Sequence, residues 1–141
     1  MRKWRKLIDD AFRLDFALRA DVTASEYRGE DSRYSPSKTT DADDETYWTT
    51  NDETTSAHLE IQLGKEREVK YLVIQEYISL GQRVKAFTVE TWQNDSWQPI
   101  ASATTIGYKR ILRLNPTRTD RVRINITESR ACPVISNVEL Y

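Results

Sequence analysis

Cysteine and histidine each occur once in this chain of 141 residues. A single thiol excludes an internal disulfide. Cys132 with one imidazole, His58, is a weak catalytic signal, so Cys132 reads as a small buried hydrophobe. Twenty-one Lys and Arg against 22 Asp and Glu leave a formal net charge of −1, so there is no basic surface of the kind that nucleic acid recruits. No apolar run approaches the ~20 residues of a membrane span. Residues 1–10 are charged and amphipathic, which argues against a secretory leader there. The expectation is a cytoplasmic chain or a piece cut from a longer exported protein. The length fits one domain able to bury a core.

What is present has two periods. Trp4, Leu7, Ile8, Ala11 and Phe12 form one apolar helical face, which predicts a helix over about residues 3–13. From residue 16 short β-branched and aromatic runs recur about every ten residues, separated by turn chemistry. Phe16 to Ser25 reads as a first strand. Residues 26–57 read as a long polar loop, and such loops are usually functional or ordered by a ligand. Leu59, Ile61 and Leu63 alternate, Val69 to Ile78 is denser, and Phe87, Val89 and Thr91 alternate again. Trp92-Gln93-Asn94-Asp95-Ser96-Trp97 reads as a hairpin tip with aromatic shoulders. Further short runs reach Tyr141. This pattern predicts an all-β antiparallel sandwich over 16–141 behind a helix within 1–15.

The densest local signal is Thr40-Asp41-Ala42-Asp43-Asp44-Glu45-Thr46-Tyr47-Trp48. Oxygen ligands this close together suit a hard cation such as calcium. The turn lacks the sixth-position glycine and twelfth-position glutamate of an EF-hand loop. It resembles the acidic turn of discoidin, or coagulation factor V/VIII type C, domains. Gln75 to Val84, Thr104 to Ile111, Arg121 to Ile124 and Ser129 to Ser136 are similar, in order, to the C-terminal discoidin-like domain of bacterial family 29 α-L-fucosidases. Trp4 to Asp9 is similar to the helix that precedes that domain.

The resemblance implies an eight-stranded jelly roll of galactose-binding-domain type, related to family 32 carbohydrate-binding modules. It implies structural calcium held by the Lys38 carbonyl, Asp41, Asp43 and Thr46 from the turn, with the Ser136 carbonyl and Asn137 from the last strand. Ala42 stands where the family has glycine, and Asn137 where it has glutamate, so the expected site is weak. Sugar sites in related modules lie on the loops at one end. The loop candidates here are Tyr27, Arg28, Arg33, Tyr34, Asn51, His58, Gln82, Arg83, Tyr108 and Lys109. Trp48 reads as core, and Arg130 as half of a structural ion pair.

A catalytic barrel needs about 250 residues, and a retaining glycosidase needs two carboxylates about 5–5.5 Å apart in a cleft. This chain is too short to carry such a barrel. The expectation is a non-catalytic accessory domain of a secreted bacterial glycoside hydrolase, periplasmic or extracellular through its parent. It would bind galactose-type or fucosylated glycans weakly. The alternative is a buttress packed on the parent's catalytic domain, with no sugar site. Polar loop tips argue against lipid binding.

Overall fold

The computed structural model describes residues 14–141, so the helix expected at 3–13 lies outside the described residues. Seven antiparallel strands follow: β1 (Asp21–Ala24), β2 (Trp48–Thr49), β3 (Ala57–Glu76), β4 (Val84–Gln93), β5 (Ser96–Ala103), β6 (Arg110–Ser129) and β7 (Val134–Leu140). The count is seven rather than eight because β3 and β6 each run 20 residues and serve both layers. Their pairing breaks register between Gln62 and Arg67 and again between Val69 and Tyr71. Such bulges bend a strand and sharpen its twist. The first half of β3 pairs with β1 and the end of β6, which continues into β4 and β5. The second half pairs with β7 and the start of β6, and β7 carries β2 on its outer edge.

Between the layers sits one apolar cluster. Leu59 and Ile61 of β3 alternate into it, with Val122, Ile124 and Ile126 opposite and Phe87 and Val89 beside them. In the second layer the dense run predicted from Val69 is buried on both faces, Leu72, Val73 and Ile74 all at 3 % exposure or less. Trp48 is fully buried, as its place at the end of the acidic turn implied. The hairpin tip is where the aromatic pair put it. Asn94 and Asp95 both have positive φ, 51° and 61°, as a type I′ turn requires. Trp92 and Trp97 stand opposite each other at 5.3 Å, edge to face. On β5, Pro99 sits on an edge strand, where a missing N–H costs no ladder bond.

The first strand is shorter than expected. Phe16 to Arg19 form a turn, because the Asp15 carboxylate accepts the Ala17 N–H at 2.9 Å and Arg19 has φ 56°. Asp15 also accepts from Leu140 N at 2.9 Å, and Phe16 N donates to Leu140 O at 2.8 Å. Burial pushes the Asp15 carboxyl above its ordinary range, against the pull of those backbone N–H groups. Arg130 is exposed, and among the described residues it has no ion-pair partner; its backbone N–H donates to Arg83 O instead.

The end of β3 carries Glu76, 3 % exposed. Its Oε1 accepts from Arg83 N and Val84 N at 2.8 and 2.9 Å, and its Oε2 accepts from Gly107 N at 2.8 Å. One carboxylate therefore joins the 77–83 and 104–109 loops. Glu76→Ala leaves three backbone donors without their acceptor, each worth about 1–3 kcal/mol when buried. The expected result is a loss of about 3 kcal/mol or more in chemical denaturation. Gln82→Ala, at an exposed position of the same loop, is expected to stay within about 0.5 kcal/mol of the parent.

Candidate functional site

Apart from the two residues of β2, the 25–56 segment is ordered by local chemistry rather than by strands. Three short 3-10 turns, Arg28–Glu30, Ser32–Tyr34 and Pro36–Thr39, fold it over the start of β7. The Trp48 indole N–H donates to Glu26 O at 2.9 Å. The Glu26 carboxylate accepts from Asn51 N at 2.9 Å and from the Thr54 hydroxyl at 2.6 Å. Gly29 N donates to Asn51 Oδ1 at 3.1 Å.

These ties build a cleft of about 230 Å³ lined by Arg28, Tyr34, Tyr47, Thr49, Asp52, Leu80, Arg83 and Val134. Tyr34 and Tyr47 form its aromatic side, and Tyr77, outside the lining, stacks on Tyr47. Tyr34 to Tyr47 is 5.7 Å between centroids, and Tyr47 to Tyr77 is 4.7 Å. Its polar side is a pair of arginines over Cys132, which is buried at 3 % exposure. Arg28 Nη2 lies 3.2 Å from Cys132 Sγ and bonds Asp52 at 2.6 Å, which raises the guanidinium pKa. Arg83 Nη1 donates to Cys132 O at 3.0 Å, and Arg83 Nε donates to Leu80 O at 3.2 Å. Both guanidiniums are held in place from below, with aromatic rings beside them.

Of the ten sugar candidates, Arg28, Tyr34 and Arg83 meet in this cleft. Tyr27 packs against the core, and Arg33 turns back on Asp31 at 2.7 Å. Asn51 is spent on Gly29, and His58 lies in β3 opposite Asn125. Gln82 lies beside Gly107, its side chain 3.7 Å from where a Cβ there would sit. Tyr108 and Lys109 line a different cleft. Tyr47, Tyr77 and Asp52 were missed. Tyr47 closes the acidic turn beside the core residue Trp48, and nothing local marks Tyr77, thirty residues later, as its neighbour.

The second cleft, about 360 Å³, lies between the acidic turn and β7. Thr40, Ala42 and Asp44 line one side, Gln75, Asn137 and Glu139 the other, and Asp15, Leu18, Tyr108 and Lys109 complete it. In the turn, the Thr46 hydroxyl donates to Asp41 Oδ2 at 2.6 Å and lies 3.0 and 3.4 Å from the carbonyl oxygens of Asp43 and Lys38. Four residues of the expected calcium set thus bring oxygens to one point, a donor chemistry that fits a hard cation. Ala42 has φ 59°, the left-handed conformation that the family's glycine adopts without strain. Ser136 is buried beside Gln75, its hydroxyl 3.4 Å from Gln75 O. The Asn137 side-chain amide donates to Gln75 Oε1 at 2.8 Å and to Glu139 Oε2 at 2.6 Å. No group of three His, Cys, Asp or Glu side chains able to hold a metal occurs among the described residues, so such a site depends on carbonyl oxygens.

Two packed antiparallel layers, with polar and aromatic side chains gathered on the loops at one end, define a galactose-binding-like β-sandwich, a non-catalytic domain class. The chain belongs to the F5/8 type C domain family, whose profile matches residues 21–140. It is 31 % identical over 138 residues to a rice (Oryza sativa subsp. japonica) protein provisionally named α-L-fucosidase 1, covering 96 % of this chain and 27 % of that one. A Ruminococcus gnavus GH29 fucosidase solved with fucose superposes with a TM-score of 0.89 at 33 % identity, over 99 % of this chain and 28 % of that one. The chain thus spans under a third of the length of these relatives. The family 32 carbohydrate-binding module of C. perfringens NanJ, solved with galactose, shares the fold with a TM-score of 0.74 at 17 % identity, over 86 % of this chain and 93 % of that one.

The bonds from Thr54 and Asn51 hold the Glu26 carboxyl below its usual 4.5. A depressed folded-state pKa gives stability that is present above 4.5 and lost as pH falls through the lower folded value. The 26–54 tie is therefore expected to loosen under acid, read as faster amide exchange at Asn51 in the parent than at neutral pH beyond the intrinsic pH effect. In Glu26→Gln that added acid response should vanish.

Proposed function

We propose that this domain is a glycan-binding accessory module of an α-L-fucosidase and that the loop cleft is its sugar site. The observation that carries the reading is the meeting of Arg28, Asp52 and Arg83 with Tyr34 and Tyr47 in one small concavity, where Tyr77 stacks on Tyr47 from outside the lining. A pyranose has a C–H face for an aromatic ring and hydroxyls for guanidinium and carboxylate. Preset side chains lose little entropy on binding. The ligand class is a terminal galactose-type or fucosylated glycan, bound weakly. Titration with galactose, fucose and fucosylated oligosaccharides, followed by Tyr and Trp fluorescence, tests this. Tyr34→Ala and Arg28→Ala are expected to weaken binding about ten- to a hundredfold without unfolding the domain. Flat curves to about 10 mM in the parent, where binding is under ~3 kcal/mol, would retire the reading.

A second reading rests on exposed apolar groups on the loops that Glu76 joins: Ile78 at 44 %, Leu80 at 43 % and Tyr108 at 68 % exposure. Such groups suit packing on the catalytic domain of the parent enzyme. Under this reading the isolated domain binds no sugar, and changes at Ile78 or Tyr108 lower stability only in the full-length enzyme.

We also propose calcium at the acidic turn, held by the Lys38 and Asp43 carbonyls, Asp41 and Thr46, with Ser136 and Asn137 as the contribution of β7. The ion would supply structural charge that ties the turn to the last strand. A ligand bound only by the native state adds about 2.7 kcal/mol at a hundredfold excess over Kd. Melting in millimolar calcium is expected to exceed melting in chelator by several degrees, and Asp41→Ala should abolish the difference. Equal melting in the parent leaves the turn closed by its own hydrogen bonds.

A further inference from the structure

The hairpin tip with its two tryptophans serves neither of the clefts above. β4 leaves the Arg83 loop and runs ten residues to Gln93, so the tip lies at the opposite end of the sandwich, roughly 30 Å away at ~3.3 Å per residue. There a cleft of about 380 Å³ opens between the hairpin, the bend of β6 and Glu66. Trp92, Gln93, Asn94, Arg118 and Asp120 line it, and the Thr119 hydroxyl, donating to Trp92 O at 2.9 Å, fixes its two walls together.

The polar groups around this space are largely unused. Among the described residues, the Trp92 indole N–H, the Asn94 carboxamide and the Asp120 carboxylate have no hydrogen-bond or ion-pair partner. Arg121, outside the lining, covers the Trp92 ring at 5.3 Å. Gln93 spends one amide hydrogen on the Thr91 hydroxyl at 3.0 Å. Formal charges balance in number, Arg118 and Arg121 against Glu66 and Asp120, and Arg118 pairs with Glu66 at 3.6 Å, which disfavours a nucleotide, phosphate or other anion. Among the described residues, the large exposed aliphatic side chains, Ile78, Leu80, Ile111, Leu14 and Leu18, are all absent from its lining, which disfavours an apolar peptide.

We propose that this cleft is a second glycan subsite that takes one neutral pyranose, with the hydroxyls paired to Asn94, Asp120 and the Trp92 N–H. It does not rest on the loop cleft. Two subsites at opposite ends would let one domain bridge two glycan chains, where linked binding exceeds either affinity alone.

The test is NMR on the ¹⁵N-labelled chain titrated with D-galactose, L-fucose and N-acetyl-D-glucosamine to about 50 mM, a range that reads millimolar Kd. At least one sugar is expected to move the Trp92 indole and the Gln93 and Asn94 side-chain amides saturably, while the buried Trp48 indole stays fixed. Asp120→Ala and Asn94→Gly, the latter keeping the positive-φ turn, should weaken this response at least about tenfold with the rest of the spectrum unchanged. Arg28→Ala should leave it intact, which separates this site from the loop cleft. No movement at Trp92 with any of the three sugars overturns the proposal. So does a response that survives both Asp120→Ala and Asn94→Gly.

Discussion

The Glu76 carboxylate is the constraint on which the loop end of this sandwich depends. A charge at 3 % exposure is tolerable only when its oxygens are filled, and here three backbone N–H groups fill them. The arrangement places Arg83 at the mouth of the loop cleft, because Arg83 supplies one of those N–H groups. It likewise positions Gly107, next to Tyr108 on the edge of the second cleft. The Glu76 N–H returns the exchange by donating to Gly107 O at 3.1 Å. Two loops about 25 residues apart in sequence thus move as one piece. The side chains offered to a sugar, or to a catalytic domain, share that one support.

A second anchor works from the other side. Trp48 has no exposed surface, yet its indole N–H reaches Glu26 O, and Glu26 in turn holds Asn51 and Thr54. A core residue therefore fixes a stretch with almost no regular structure. This explains how a mostly polar stretch holds a definite shape with only the two-residue β2 as a strand. Their backbone groups are met by side chains and short turns.

Much of the scaffold was legible because period-2 burial writes directly into sequence. Leu59, Ile61, Val122, Ile124 and the Trp92–Trp97 hairpin fall where alternation and turn chemistry put them. The strand count was not, because nothing in Leu63-Gly64-Lys65-Glu66 separates a bulge within one strand from a turn between two. The first strand was overextended because the Asp15 side chain, not residue propensity, turns the chain at Phe16 to Arg19. The site was legible in part. Arg28, Tyr34 and Arg83 stand out as polar loop residues, but the cleft closes only where Tyr47 and Asp52 of one loop meet Leu80 and Arg83 of another about thirty residues later, and side-chain meetings at that range leave no local mark. His58 and Asn51 look like ligand residues by type. The fold uses them for a strand and a loop clasp.

The outer strands carry one further consequence. β1 has four residues, β2 has two, and β5 is interrupted by Pro99. Each edge is thus too short, or too poor in donors, to template another strand beside it. Wherever copies of a β domain crowd together, exposed strand edges are where backbone pairing between them would start. Here such crowding cannot propagate through backbone pairing, so any contact between neighbouring copies must be made and broken by side chains.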